Sequence, residues 1–168
     1  MLEYTEFINA MRATSSSTDK IEIIKNASSD VHRLLEYVYN PFKQYHVTSK
    51  TCKKRSDLIN EISDIPLYEL LDMLTNRVVT GHNAVRCINA FAANKFDPII
   101  YKIIDKDLGI RAGAKVINKA VPGLIPTFSV ALAKEYDDKC DWVNDAWYAS
   151  RKLDGVRCLA VVNYEGEC

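Results

Sequence analysis

The sequence predicts a mainly α chain: a bundle of short helices over residues 1–126, a linker over 127–145, and over 146–168 the start of an α+β unit that opens with a β-hairpin. Three observations carry this. Apolar residues recur at three- and four-residue spacing in one short segment after another up to about Ala120. Ser, Thr, Asp, Gly and Pro stand at the segment borders, where helices start and stop. Near the end, Asp154-Gly155 separates two short apolar runs, the mark of a tight hairpin turn.

Leu2 to Arg12 places Leu2, Phe7, Ile8 and Met11 on one helical face, and the run Ser15-Ser16-Ser17-Thr18 breaks it. Thr18 is then the expected cap of a helix over Asp19 to Asn26 that carries Ile21, Ile23 and Ile24. Ser28 and Ser29 precede Val31, Leu34, Leu35 and Val38, a third helix expected to end near Asn40-Pro41. Asp57 to Ile62 predicts a short helix. Pro66 opens Leu67 to Arg77, with Leu67, Leu70, Leu71 and Leu74 on one side. Thr80-Gly81 marks a break before Asn83 to Ala93. Asp97-Pro98 is a start signal for Ile99, Ile100, Ile103 and Ile104, a helix expected to end at Gly109. That gives roughly seven helices. Beyond them, Thr127 to Trp147 reads as a connector with a helical piece near Ser129 to Ala133, Ala146 to Ser150 as a first strand, and Val156 to Asn163 as a second.

Composition limits what such a chain can do. With 168 residues, 48% hydrophobic and 26% charged, it can bury a real core. Lys+Arg and Asp+Glu are both 22, so overall charge draws no polyanion to it, and any grip on nucleic acid must be local. Cys52, Cys87, Cys140, Cys158 and Cys168 show no C-x-x-C spacing, which predicts reduced thiols, a cytoplasmic setting and no metal site. No apolar run approaches membrane-spanning length.

Two stretches offer local positive charge. Lys50-Thr51-Cys52-Lys53-Lys54-Arg55 is the densest basic run; it reads either as a solvated loop or, through Lys53, Lys54 and Arg55, as contact with backbone phosphates. Asp107 to Lys119 is a glycine-bearing loop feeding a short helix with Arg111, Lys115 and Lys119. It reads as a phosphate-facing helix start or as a corner between two bundle helices.

The most specific signal is Lys152-Leu153-Asp154-Gly155-Val156-Arg157, the pattern K-x-D-G-x-R. Alone, it could be a hairpin turn beside a solvated lysine. It resembles motif I of the covalent nucleotidyltransferases, which include DNA ligases, RNA ligases and mRNA capping enzymes. Asp107-Leu108, Asn118-Lys119 and Pro122-Gly123-Leu124-Ile125-Pro126 in turn resemble the end of the helical DNA-binding domain of ATP-dependent DNA ligases from T-even-type bacteriophages.

That resemblance implies a helical DNA-binding domain leading into an adenylylation domain of ATP-grasp-like fold, of which residues 146–168 would be the truncated beginning. It implies Lys152 as the nucleophile that takes AMP from ATP with Mg2+, with Asp154, Gly155 and Arg157 at the nucleotide. A lysine attacks only when neutral, and its ordinary pKa is about 10.4, so its site must lower that value. Nicked double-stranded DNA is the implied partner in replication, repair and recombination, the protein acting as a monomer in the cytoplasm, that of an infected bacterium if viral. The chain departs from the phage pattern at Arg111, where relatives usually have glycine, and at Ser150. None of the family's later nucleotide-binding motifs follows Arg157. A non-catalytic DNA-binding module and an RNA ligase or capping-type enzyme are the alternatives.

Overall fold

A computed structural model describes residues 2–59, 65–95 and 99–127. Among these residues there are eight helices and no strand: α1 Leu2–Ala13, α2 Ser17–Lys25, α3 Ser29–Tyr39, α4 Ser49–Lys54, α5 Leu67–Thr75, α6 Gly81–Lys95, α7 Ile99–Ile104 and α8 Ala114–Ala120. The mainly α expectation holds. The chain divides into Met1–Ser129 and Val130–Cys168. The expected connector and hairpin lie outside the described residues, as do Asp97-Pro98.

Helices with strong local signals form where expected. In α3, Ser28 takes extended backbone and its Oγ accepts from the Val31 N–H at 3.3 Å, while Val31, Leu34, Leu35 and Val38 turn inward. Three other starts and stops need correction. Ser16, not Thr18, caps α2, its Oγ accepting from the Asp19 N–H; Thr14 steadies that turn by accepting from the Ser16 N–H and donating to Asp19. α6 begins at Gly81 itself, whose φ of +55° turns the chain into the helix. α7 ends at Ile104, because Lys106 (φ +58°) already takes the left-handed conformation that stops a helix; Gly109 (φ +67°) belongs to the next turn.

The basic run is a helix rather than a solvated loop. Thr48 caps α4 by accepting from the Thr51 N–H, and Asp105, 56 residues away, accepts from the Ser49 N–H at 2.8 Å and from its hydroxyl. Cys52 is fully buried beneath it. At the other end the helix expected over Asp57 to Ile62 is not seen in its described part, Asp57 to Ile59, which is turn and coil. Carbonyls at that end also accept from outside the segment: the buried Asn89 amide donates to Cys52 O, Arg55 O and Leu58 O at 3.2, 3.0 and 3.0 Å.

The core joins Met11, Ile24, Leu34, Leu35, Leu70, Leu71, Leu74, Ile88, Ile100, Ile103, Leu108 and Ile110, all under 2% exposed. Each such side chain contributes about 1.5–3 kcal/mol when withdrawn from water, so this set fixes how the helices meet.

One local design occurs twice. Residues 34–55 and 99–120 follow each other at an offset of 65 (34 to 99, 55 to 120). In each, a helix ends, a left-handed residue stands two positions ahead of an extended cap, and a short helix begins: His46 (φ 56°), Thr48 and α4, then Arg111 (φ 51°), Gly113 and α8. Buried Tyr45 and Cys52 match buried Ile110 and Ile117. α2 precedes the first unit and α6 the second, yet the packing is crossed, with α4 on α6 and α8 on α2, while α3 and α7 pack together.

Candidate nucleic-acid interface

The loop before α8 is held by cations. Four successive carbonyls accept from two side chains of the N-terminal helices: Arg12 Nη2 donates to Leu108 O at 2.9 Å and Nε to Gly109 O at 3.1 Å, and Lys20 Nζ donates to Ile110 O and Arg111 O at 3.0 and 3.1 Å. Lys20 is only 5% exposed. Asp107 closes the turn by accepting from the Gly109 N–H at 2.7 Å. Tyr39 packs there, its phenol pushed up to about 12 by burial while a hydrogen bond with the Leu108 backbone pulls the other way. A Cβ at Gly109 would lie 2.5 Å from Arg12 Nη2. Glycine there lets the guanidinium close on the turn.

With the loop fixed, Arg111, Lys115 and Lys119 are exposed, while Ile117 and Ala120 face inward and α8 packs on α2. The following segment folds back on the helix: Asn118 Nδ2 donates to Ile125 O at 2.7 Å and its Oδ1 accepts from the Ile125 N–H at 2.8 Å. Asn118 and the run Pro122 to Pro126 are thus one structural unit, with Gly123 (φ +77°) at its bend.

Lys53, Lys54 and Arg55 belong to a second set. Lys53 and Lys54 are exposed on α4, Lys53 with its ammonium 5.3 Å from the Tyr101 ring centre. Arg55 is half-buried, Nη1 3.3 Å from His82 Nε2. α4 packs on α6 and α7, so the six cations singled out from the sequence fall on two structural units. The repeat adds two residues that sequence reasoning missed. Lys50 is exposed at the place of Lys115, and exposed His46 stands at the place of Arg111. The 65-residue offset is the signal that would have found them.

Behind this second unit, Lys106 donates to Asn40 O and, at 2.8 Å, to Lys43 O; burial holds its ammonium below the ordinary lysine value. Burial, with a contribution from the Asp105 charge, raises the Cys52 thiol to about 11. Such a thiol is packing, not a nucleophile. Among the described residues no group of three or more His, Cys, Asp or Glu could hold a metal ion, and no helix is long and apolar enough to cross a membrane. Lys152, Asp154, Gly155 and Arg157 lie outside the described residues.

By fold and surface the described residues form a small helical module carrying two sets of outward cations on one repeated loop-and-helix design. In particular, the chain is similar to the DNA ligase of Enterobacteria phage T4 and to that of Enterobacteria phage T6, at 27% identity over 168 residues in each case, covering 94% of this chain and 34% of the relative. It spans about a third of the length of the curated relatives it matches, their N-terminal part. A solved structure named Pmar-Lig_Pre shares the fold, with a TM-score of 0.53 and 23% identity, over 70% of this chain and 29% of that one. No family model matches the chain. The resemblance read from the motifs therefore holds along nearly the whole chain.

Proposed function

We infer that this chain carries the DNA-gripping module and the nucleophile motif of an ATP-dependent DNA ligase. The observation that carries the reading is the likeness to two phage DNA ligases over 94% of the chain, because it spans both the helical module and K-x-D-G-x-R. In this reading Arg111, Lys115 and Lys119, with Lys53, Lys54 and Arg55 on the other unit, contact backbone phosphates without reading sequence. Lys152 displaces pyrophosphate from ATP and holds AMP as a phosphoamide. Asp154, Gly155 and Arg157 line the nucleotide, and Mg2+ bound with the triphosphate offsets its charge. The AMP passes to the 5′-phosphate of a nick, and the 3′-hydroxyl displaces it.

The test is binding of nicked duplex by the 168-residue chain and by its Lys115→Glu/Lys119→Glu variant across a salt series. Each lost phosphate contact lowers the slope of log affinity against log salt by about 0.9. The double variant should bind more weakly with a shallower slope, at an unchanged melting temperature. Equal affinity and slope would remove α8 from the interface. In a ligation-competent form, Lys152→Ala should abolish the protein-AMP adduct while leaving DNA affinity as it was.

A further inference from the structure

Between α4 and the first turn of α6 lies a cleft of about 280 Å3. Its polar lining is His46, Thr48, Thr51, Arg55 and His82, and among the described residues no carboxylate faces it. Two other clefts differ on this point. The one of about 370 Å3 beside Lys53 and Lys102 is also lined by Asp105 and Asp107, and the one of about 460 Å3 at Arg33 by Glu69 and Asp72. Those two clefts set carboxylates beside their cations; the described lining of the α4–α6 cleft does not.

The geometry within it is specific. Arg55 has only donors, so the 3.3 Å contact between its Nη1 and His82 Nε2 uses the imidazole lone pair, and among the described residues the remaining guanidinium donors meet no acceptor. Arg55 is placed from behind, because its own carbonyl is held by the Asn89 amide. The Thr48 and Thr51 hydroxyls lie 3.0 Å apart at the same wall, and His46 is brought to the rim by its left-handed backbone. A planar multi-donor cation, two hydroxyls and two imidazoles, with no competing acid among the described residues, form a lining suited to a tetrahedral oxyanion. The volume falls just short of the ~300 Å3 of ordinary small-molecule pockets. A phosphate with its adjoining sugar is the right scale.

We propose that this cleft is a phosphate-binding site, and that the phosphate it takes is a backbone phosphodiester of the bound nucleic acid. The second half rests on the DNA-binding reading above; the first does not. The site is separate from the α8 set and gives Arg55 a different role from Lys53 and Lys54. Arg55 closes on one phosphate within a cleft, whereas the two lysines act from the open surface.

The experiment follows the His82 and His46 ring signals by NMR in the 168-residue chain, first with inorganic phosphate and then with nicked duplex. In parallel, salt-dependent DNA binding is measured for Arg55→Gln and for His82→Gln. Exposed His82 serves as the variant that leaves the fold alone should Arg55→Gln unfold the chain. The expected result is that both ligands move the ring signals, phosphate competes with the duplex, and Arg55→Gln lowers the salt slope by about 0.9. Signals moved by inorganic phosphate, with both variants keeping the wild-type salt slope, would overturn the backbone assignment and leave a site for free phosphate. Ring signals unmoved by either ligand, in a chain whose DNA binding still responds to Lys115→Glu/Lys119→Glu, would overturn the cleft while the DNA reading stands. Signals moved by phosphate in a chain that binds no duplex would do the reverse.

Discussion

Lys20→Met is the sharpest test of how the interface is held together. Lys20 is 5% exposed, and its ammonium donates to Ile110 O at 3.0 Å and Arg111 O at 3.1 Å, 90 and 91 residues along the chain. Methionine keeps the length and most of the packing of the lysine stem but offers no donor. Hydrogen bonds from a charged group contribute about 1.5–3 kcal/mol each. Relief of the buried ammonium's own desolvation offsets part of that loss. The net expected loss is about 2–4 kcal/mol, close to two such bonds less the offset. At a urea m-value of about 2 kcal/mol/M, the unfolding midpoint should fall by about 1–2 M.

The loss should also be local. Arg12 still holds Leu108 O and Gly109 O, so hydrogen exchange should accelerate most over residues 110–113. The control is Lys25→Met, an exposed lysine on the same helix, which should stay within about 0.5 kcal/mol of the wild type. If Lys20→Met unfolds with the midpoint of Lys25→Met, the cation staple is not what orders the loop.

Arg111→Gly separates fold from function at one residue. Relief of left-handed strain, about 1–2 kcal/mol, against glycine's extra unfolded-state freedom, about 0.5–1 kcal/mol, should leave stability unchanged or raised by up to about 1.5 kcal/mol. Its salt slope for nicked duplex should fall by about 0.9, and loss of stability in urea would show that Arg111 has a structural role. High pH tests the buried Cys52 thiol and the half-buried Tyr39 phenol. Cys52 is raised from 9.0 to about 11 and Tyr39 from 10.0 to about 12, so the folded state keeps protons that the unfolded chain releases from about pH 9 upward. Stability should therefore fall between pH 9 and 12, with lowered Lys106 acting in the opposite sense, and Cys52→Ala should flatten the early part of that fall in urea melts.

What was legible in the sequence was whatever is set by neighbours in the chain. α3 carries its cap, its apolar face and its stop within 13 residues, from Ser28 to Asn40, and was read correctly. α4 has one buried residue in six, and although Thr48 caps it locally, the contacts that hold its two ends, from Asp105 and Asn89, lie outside any local window. The same holds for the interface. The helical spacing of Lys115 and Lys119 shows in the sequence, but the four-carbonyl staple joins residues 90 to 97 apart. The glycine expected at position 111 by resemblance finds its physical reason in a φ of +51°, which arginine occupies here at some cost.

The repeat stayed hidden for a related reason, and that reason bears on function. Between residues 34–55 and 99–120 the positions buried in both units are apolar in both but never identical: Tyr45 meets Ile110 and Cys52 meets Ile117, because each packs against a different helix. The positions that do share a residue at the 65-residue offset are two exposed ones, Lys50 with Lys115 and Lys54 with Lys119. Burial does not require lysine at these places. Each pair sits four residues apart on one short helix, where like charges cost about 0.2–0.5 kcal/mol. Two helices thus carry the same repulsion at the same place in the same loop-and-helix design, and nothing in their packing calls for it. In the proposed DNA-binding reading, a partner with regularly spaced negative charge supplies the counter-charge for both.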